Sequence, residues 1–138
     1  MNFQGPGSEV LRGLSCAGLC SKDTPLATEG ELHDALAALP SWRLSEDKKL
    51  ISRQFVAKNF SAAVKFFSEV AEVANQEGHH PDLHLTNYRD VRVDLSTHAI
   101  GGLSKADFIM AAKLDAIPVD YSPKWLEKQQ HLKPAQNG

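Results

Sequence analysis

The chain has 138 residues, a formal net charge of −2, 42% hydrophobic residues and 23% charged residues. This length is sufficient for one domain with its own hydrophobic core, without disulfides or metal ions to hold it together. A net negative charge does not provide the dense positive field that proteins need to bind nucleic acids non-specifically. No apolar run approaches the roughly 20 residues that a membrane-spanning helix needs. We therefore expect neither nucleic acid nor a membrane as a direct partner.

Residues 1–27 are rich in Gly, Ser, Cys and Pro and show little periodicity. We interpret them as a tag remnant followed by a flexible leader, and we expect any targeting peptide to have been removed with the natural N-terminus. Cys16 and Cys20 both lie in this segment. We expect free thiols there, and a zinc-binding regulator built from the cysteines and the histidines is the weaker alternative.

Helical spacing begins at Thr28, which is predicted to form a capping box with Glu31. The helix is expected to end before Pro40, because the residue that precedes a proline disfavours helical geometry. Alternating apolar and polar residues at 42–44 and 50–56, separated by a charged turn, then predict a β-hairpin.

The second half of the chain repeats this organisation. Asn59 is placed to cap a long amphipathic helix that ends near Gly78, and alternation at 83–88 and 91–96 predicts a second hairpin. A last helix is predicted from Ser104 to about residue 117. The order α-β-β-α-β-β-α predicts an α+β fold, a four-stranded antiparallel sheet with helices packed on one face. The domain is expected to span residues 28–118, followed by a tail at 119–138.

Histidines are concentrated at the ends of the second predicted hairpin. His79 and His80 directly precede Pro81, which favours an extended backbone between the helix and the strand. His98 follows the last strand. Because the start of one antiparallel strand lies beside the end of the next, we expect the three imidazoles to meet at one edge of the sheet. Histidine has an unperturbed pKa of about 6.5, which suits the acid and base steps of an elimination.

Other roles stay open for individual residues. His79 also fits a capping or surface position, and His84 is expected on the solvent face of its strand. Asp107 completes an S-x-x-D pattern, which predicts a helix-capping role for this residue. A metal site that joins His80, His84 and His98 is a weaker alternative, because no carboxylate or cysteine stands at an obvious ligand spacing.

The spacing of these residues resembles the signature of a known family. The motif consists of His79-His80-Pro81, Tyr88, His98 and Asp107. Six residues lie between Pro81 and the tyrosine, nine between the tyrosine and His98, and eight between His98 and the aspartate. This pattern is similar to that of the pterin-4a-carbinolamine dehydratases, which are also known as dimerisation cofactors of a hepatocyte homeodomain transcription factor. The resemblance covers about residues 28–118.

The resemblance implies a dimer or tetramer that dehydrates 4a-hydroxytetrahydrobiopterin to quinonoid dihydrobiopterin, with no metal ion or organic cofactor. His79 and His98 would be the acid–base residues, and His80 would hold and orient the pterin. The implied catalytic set is His79, His80, His98 and Asp107. The groups that would line the pterin are Gly78, His79, His80, Ser96, Thr97, His98 and Ala99.

One position departs from the family pattern. The family usually has an acidic residue four positions before the first histidine, where this chain has Asn75. An amide can accept a hydrogen bond from an imidazole but does not stabilise its cation by charge. We therefore expect weaker support of a protonated histidine and a site that is otherwise retained.

Residues 78–85 and 99–103 resemble the plant and algal branch of the family, whose members are often sent to mitochondria or plastids. Some plastid relatives with a degenerate site act in Rubisco assembly instead. The three histidines present here favour catalysis. The alternative is a non-catalytic binding or assembly module, and its candidate surface is the alanine-rich face of the last helix: Ala106, Ala111 and Ala112.

Overall fold

The computed structural model of the chain describes residues 5–16 and 21–136. Its elements are α1 (Ser8–Arg12), α2 (Glu29–Ala38), β1 (Trp42–Leu44), β2 (Ile51–Val56), α3 (Phe60–Glu77), β3 (Asp82–Thr86), β4 (Asp90–Leu95), a 3₁₀ turn (His98–Ile100), α4 (Lys105–Asp115) and α5 (Pro123–Gln136). From α2 to α4 the predicted order of helices and strands is confirmed. The helices α1 and α5 are additional elements that the sequence pattern did not predict.

Local capping signals fix the ends of the two helices that precede the hairpins. The hydroxyl of Thr28 accepts the N–H of Glu31, and the Glu31 carboxylate accepts the N–H of Thr28, as predicted. Asn59 caps α3 by accepting the N–H of Ala62 at 2.8 Å. Gly78 ends α3 with φ of 66°, a left-handed conformation that glycine adopts without the steric cost of a Cβ atom.

The four strands form one antiparallel sheet in the order β1-β2-β4-β3, so the predicted fold class is confirmed. Successive side chains of a strand point to opposite faces of a sheet. Six side chains of β2 and β4 point to the inner face and are buried in the core: Ile51, Arg53, Phe55, Val91, Val93 and Leu95. The outer face carries mainly polar residues, and the core therefore lies between the inner face and the helices.

The leader segment is tied to the helices that flank the candidate site. The Lys113 ammonium donates to the carbonyl of Arg12 at 2.8 Å, and the N–H of Cys16 donates to the Glu77 carboxylate at 3.0 Å. The buried Cys16 thiol lies 3.5 Å from the carbonyl of Ala106. Cys20 lies outside the described residues.

The segment after α4 returns to the end of β2. Ala57 and Tyr121 form an antiparallel bridge, and the ring of Tyr121 stacks on that of Trp125 at 5.3 Å between centroids. Trp125 also makes an edge contact with Phe55, at 6.4 Å. The domain boundaries at residues 28 and 118 stay predictions.

The alanine-rich face of α4 is not available to a partner, so the surface predicted for an assembly role was wrong. Ala106, Ala111 and Ala112 are each 0% exposed within a single chain. The sheet and α3 pack against α4, and α1 packs against it as well. Small residues here allow close packing inside the molecule. Among the described residues, no helix is long and apolar enough to cross a membrane.

Candidate active site

The junction between α3 and β3 holds the first histidine pair. His79 and His80 follow Gly78, which ends α3, and β3 begins at Asp82. In the pairing of β3 with β4, Asp82 lies opposite Asp94 near the end of β4. The residues that precede β3 therefore lie beside those that follow β4. This places residues 79–80 and 96–98 at the same end of the sheet.

His79 and Asp107 form a buried pair at this end of the sheet. The Nε2 atom of His79 lies 2.6 Å from Oδ1 of Asp107, and the two residues are 5% and 0% exposed. A carboxylate accepts hydrogen bonds, so Nε2 carries the hydrogen and donates it. Hydrogen bonds to a charged group are short and strong, and this one fixes both the tautomer and the orientation of the imidazole.

Asp107 is held in turn by the loop that precedes α4. Its Oδ2 atom accepts the hydroxyl of Thr97 at 2.8 Å and the N–H of Ser104 at 2.9 Å. The Ser104 hydroxyl lies 2.7 Å from that of Thr97 and donates to it. The predicted capping role of Asp107 is confirmed, because Ser104 and Asp107 form a capping box. Three donors satisfy a carboxylate that would otherwise be costly to bury.

His80 and His98 are exposed, in contrast to His79. The Nε2 atom of His80 donates to Oδ1 of Asn75 at 3.1 Å. The amide that stands where the family usually has an acidic residue therefore contacts an imidazole. His98 begins the 3₁₀ turn and directly follows Thr97, which shares the Asp107 carboxylate with His79. His98 is therefore the sequence neighbour of a residue that contacts the buried pair, and its own side chain is exposed to solvent.

The other predicted residues occupy different settings. Gly78 and Ala99 are exposed and Ser96 is half-buried at the same end of the sheet, whereas the Thr97 side chain is buried against Asp107. Tyr88 is 54% exposed in the turn at the far end of the β3–β4 hairpin. The structure brings His79, Thr97 and Asp107 into contact, and the catalytic and ligand-lining roles stay predictions.

The link between Thr97 and Asp107 was not predicted. The S-x-x-D pattern identified Ser104 and Asp107 as a cap, but the sequence carries no signal that a threonine ten residues upstream bonds to the same carboxylate. Within the part of the chain that the structure describes, no three His, Cys, Asp or Glu side chains lie close enough to share a metal ion. A reaction without metal ion or organic cofactor stays a prediction.

Replacing Thr97 with valine is expected to lower the free energy of unfolding by about 1–3 kcal/mol, because a buried carboxylate oxygen loses one donor. The Thr97→Ser variant keeps the hydroxyl and serves as the matched control. Urea denaturation of both variants provides the measurement. A valine variant as stable as the serine variant would contradict a supporting role for this hydroxyl.

Comparison with known proteins shows a consistent set of relatives. Residues 16–117 match the sequence model of a family described as pterin 4 alpha carbinolamine dehydratase. A protein of Arabidopsis thaliana named pterin-4-alpha-carbinolamine dehydratase 2, mitochondrial, is 39% identical over 107 residues, which cover 76% of this chain and 57% of that protein. This chain thus spans little more than half of the Arabidopsis protein.

Two further relatives are covered almost completely. A protein of Aromatoleum aromaticum, whose name assigns it provisionally to the same activity, is 39% identical over 80% of this chain and 96% of its own length. A crystal structure of a transcriptional coactivator/pterin dehydratase from Brucella melitensis superposes with a TM-score of 0.62 at 36% identity, over 67% of this chain and 97% of that chain. The fold and the sequence therefore agree on the same group of proteins.

Proposed function

This chain belongs to the pterin 4 alpha carbinolamine dehydratase family, and on that premise we propose that it removes water from 4a-hydroxytetrahydrobiopterin to give quinonoid dihydrobiopterin. The observation that carries the proposal is the 2.6 Å contact between His79 and Asp107, two buried side chains that lie 28 residues apart. A carboxylate that fixes the tautomer and orientation of a histidine supports acid–base catalysis, as it does in catalytic triads.

The reaction needs one acid and one base. The bond between C4a and its hydroxyl oxygen breaks, and that oxygen leaves as water after it accepts a proton. The N5 atom gives up its hydrogen as a proton, and its electron pair forms the C4a=N5 double bond. In our proposal His79 and His98 divide these two roles, and a proton passes between them through solvent before the next turnover.

The surroundings of each histidine support this division. Asp107 holds Nε2 of His79 and so fixes the orientation of the ring that, in the proposal, exchanges a proton with the substrate. His98 approaches from the solvent side, at the first residue of the 3₁₀ turn. His80, whose ring is oriented by the amide of Asn75, binds and orients the flat pterin.

The experiment is steady-state dehydration of the carbinolamine by the purified chain and by single histidine variants. His98→Ala is expected to lower kcat/KM by roughly 10²-fold or more, the usual scale for loss of a general acid or base. His80→Ala is expected to act mainly by raising KM.

The matched control is His33→Ala, because the side chain of His33 is 85% exposed on α2 and contacts the equally exposed Asp34. This variant is expected to retain the parent kcat/KM. Parent-like turnover by His98→Ala would remove His98 from its assigned role, and an inactive parent chain would refute the proposed function itself.

A dimer or tetramer and an organellar location, in mitochondria or plastids, are part of the same proposal. The name of the Arabidopsis relative gives that protein a mitochondrial location, which supports the second point.

A further inference from the structure

A pocket with a mixed polar and apolar lining lies on the outer face of the sheet, which the proposed reaction does not use. The strand register aligns outer-face side chains in rows that run across β2, β4 and β3. One row is Gln54, Arg92 and His84, and the adjacent row is Val56, Asp90 and Thr86. Together with Trp125 of α5, these rows line a cavity of about 480 Å³. This volume falls within the range of small-molecule sites.

Arg92 occupies the middle of this surface. Its Nε atom donates to Oδ1 of Asp94 at 2.8 Å, and among the described residues its Nη1 and Nη2 atoms have no hydrogen-bonding partner. The Arg92 side chain is 48% exposed. A guanidinium held through Nε presents its two terminal nitrogens as a fork that matches a carboxylate. The pocket therefore offers a binding position for an anionic group.

Asp94 keeps this guanidinium in place. Partial burial by itself would raise the pKa of Asp94, but hydrogen bonds from Arg92 and Ser52 outweigh it, and the pKa lies below its usual value. The Nε2 atom of His84 donates to the other oxygen at 3.1 Å. Asp94 therefore stays ionised near neutral pH and anchors both Arg92 and His84 at the pocket.

The adjacent row supplies the opposite charge and an apolar wall. Asp90 lies two residues from Arg92 on the same strand face, which places the two backbones about 7 Å apart. A small molecule with charges of both signs can span such a separation. On the side toward β2 the wall is formed by Val56 and by the indole of Trp125, which stacks on Tyr121.

We propose that this pocket binds a free α-amino acid with an aromatic side chain. The carboxylate of the amino acid pairs with Nη1 and Nη2 of Arg92, and its ammonium group pairs with the carboxylate of Asp90. The aromatic ring lies against Val56 and Trp125. This site is separate from the His79–Asp107 pair and does not depend on the proposed dehydration.

The test is an NMR titration of the chain with L-phenylalanine, without pterin. The chain has two tryptophans, and the buried Trp42 indole, which donates to Asp115 at 3.1 Å, is the internal reference. The indole N–H signal of Trp125 is expected to shift in a saturable manner while that of Trp42 stays in place. Absence of a saturable shift at millimolar L-phenylalanine would overturn the proposal.

Three analogues separate the contributions of the ligand groups. Phenylalaninamide lacks the carboxylate, 3-phenylpropionate lacks the ammonium group and glycine lacks the ring. Each is expected to bind at least about tenfold more weakly than L-phenylalanine, as expected when one good interaction worth about 1.4 kcal/mol is lost. Equal binding of glycine would refute the aromatic wall, and equal binding of phenylalaninamide would refute the role of Arg92.

Variants test the same contacts from the side of the protein. Arg92→Gln and Asp90→Asn are each expected to weaken L-phenylalanine binding by at least about tenfold. The control is Arg43→Gln, an exposed arginine of β1 outside the pocket, which is expected to bind like the parent chain. If Arg92→Gln lowers the thermal midpoint, Asp90→Asn still decides the outcome. Parent-like affinity in Asp90→Asn would contradict the proposal.

Discussion

Replacing Asp107 with asparagine is expected to lower kcat/KM for dehydration by roughly 10²–10³-fold, within the range seen for loss of acid–base function. The carboxylate accepts three donors, from His79, Thr97 and the backbone of Ser104. An asparagine side chain has one acceptor oxygen and an NH₂ group. Since the Ser104 N–H is fixed by the capping box, the NH₂ group must face Nε2 of His79.

The expected fall in activity follows from the tautomer of His79. A donor opposite Nε2 requires that nitrogen to accept, so the ring hydrogen moves to Nδ1 and the imidazole is held in the opposite tautomer to that of the parent chain. The same exchange of a carboxylate for an amide is known to cost catalytic triads much of their rate through the wrong tautomer. The fold is expected to persist, because the amide oxygen can still accept at the cap.

Steady-state kinetics over a range of pH values provides the measurement. The control is Asp34→Asn, since Asp34 lies 3.5 Å from His33 in a histidine–aspartate contact in which both side chains are more than 80% exposed. This control is expected to retain the parent kinetics. If Asp107→Asn lowers only the thermal midpoint and leaves the pH profile of kcat/KM unchanged, Asp107 is a helix cap and has no part in catalysis.

The elements between α2 and α4 could be predicted because their boundaries are set by local signals. Thr28 and Asn59 cap helices through residues three positions away, and Gly78 supplies the left-handed conformation that ends α3. The period-2 pattern of β2 placed Ile51, Arg53 and Phe55 on one face, and all three are buried. Such signals involve neighbouring residues, so they are visible in the sequence.

Features that depend on distant partners could not be predicted in the same way. The helix α1 has five residues, too few to be stable in isolation, and it packs on α4 through contacts about 100 residues away in sequence, such as that between Lys113 and the Arg12 carbonyl. The bond between Thr97 and Asp107 depends on where α4 begins relative to β4. The sequence therefore predicted the histidine-bearing loops but not the hydroxyl that supports Asp107.

A second large effect, on the free energy of unfolding, is expected when the buried ion pair between Arg53 and Asp115 is broken. Nη1 of Arg53 donates to Oδ1 of Asp115 at 3.1 Å, and the two side chains are 3% and 0% exposed. The Trp42 indole donates to the same carboxylate at 3.1 Å, and Arg53 also donates to the Tyr121 hydroxyl. This network joins β1, β2, the end of α4 and the C-terminal segment.

The pH dependence of this network has a definite sign. Burial raises the pKa of Asp115 from 3.8 to about 6, against the attraction of Arg53. The folded chain thus binds this proton more tightly than the unfolded chain, and the contribution of Asp115 to stability falls as pH rises from about 4 to about 6. Asp115→Asn mimics the neutral form, so its stability relative to the parent chain is expected to increase over that interval, as urea denaturation across this pH range would measure.

Arg53→Met is expected to lower the free energy of unfolding at pH 7 by about 3–5 kcal/mol, because it leaves the Asp115 carboxylate buried without its cation. Methionine keeps an apolar stem to pack against Phe55 and Phe66, whose rings lie 5.0 and 5.9 Å from the guanidinium. The loss is expected to shrink near pH 4, where the buried carboxyl group takes up a proton. Urea denaturation at both pH values distinguishes the effect of an unpaired carboxylate from that of a simple packing defect. A packing defect would lower the free energy of unfolding equally at both pH values. The exposed Arg43, changed to methionine, is the control and is expected to alter stability by less than about 0.5 kcal/mol.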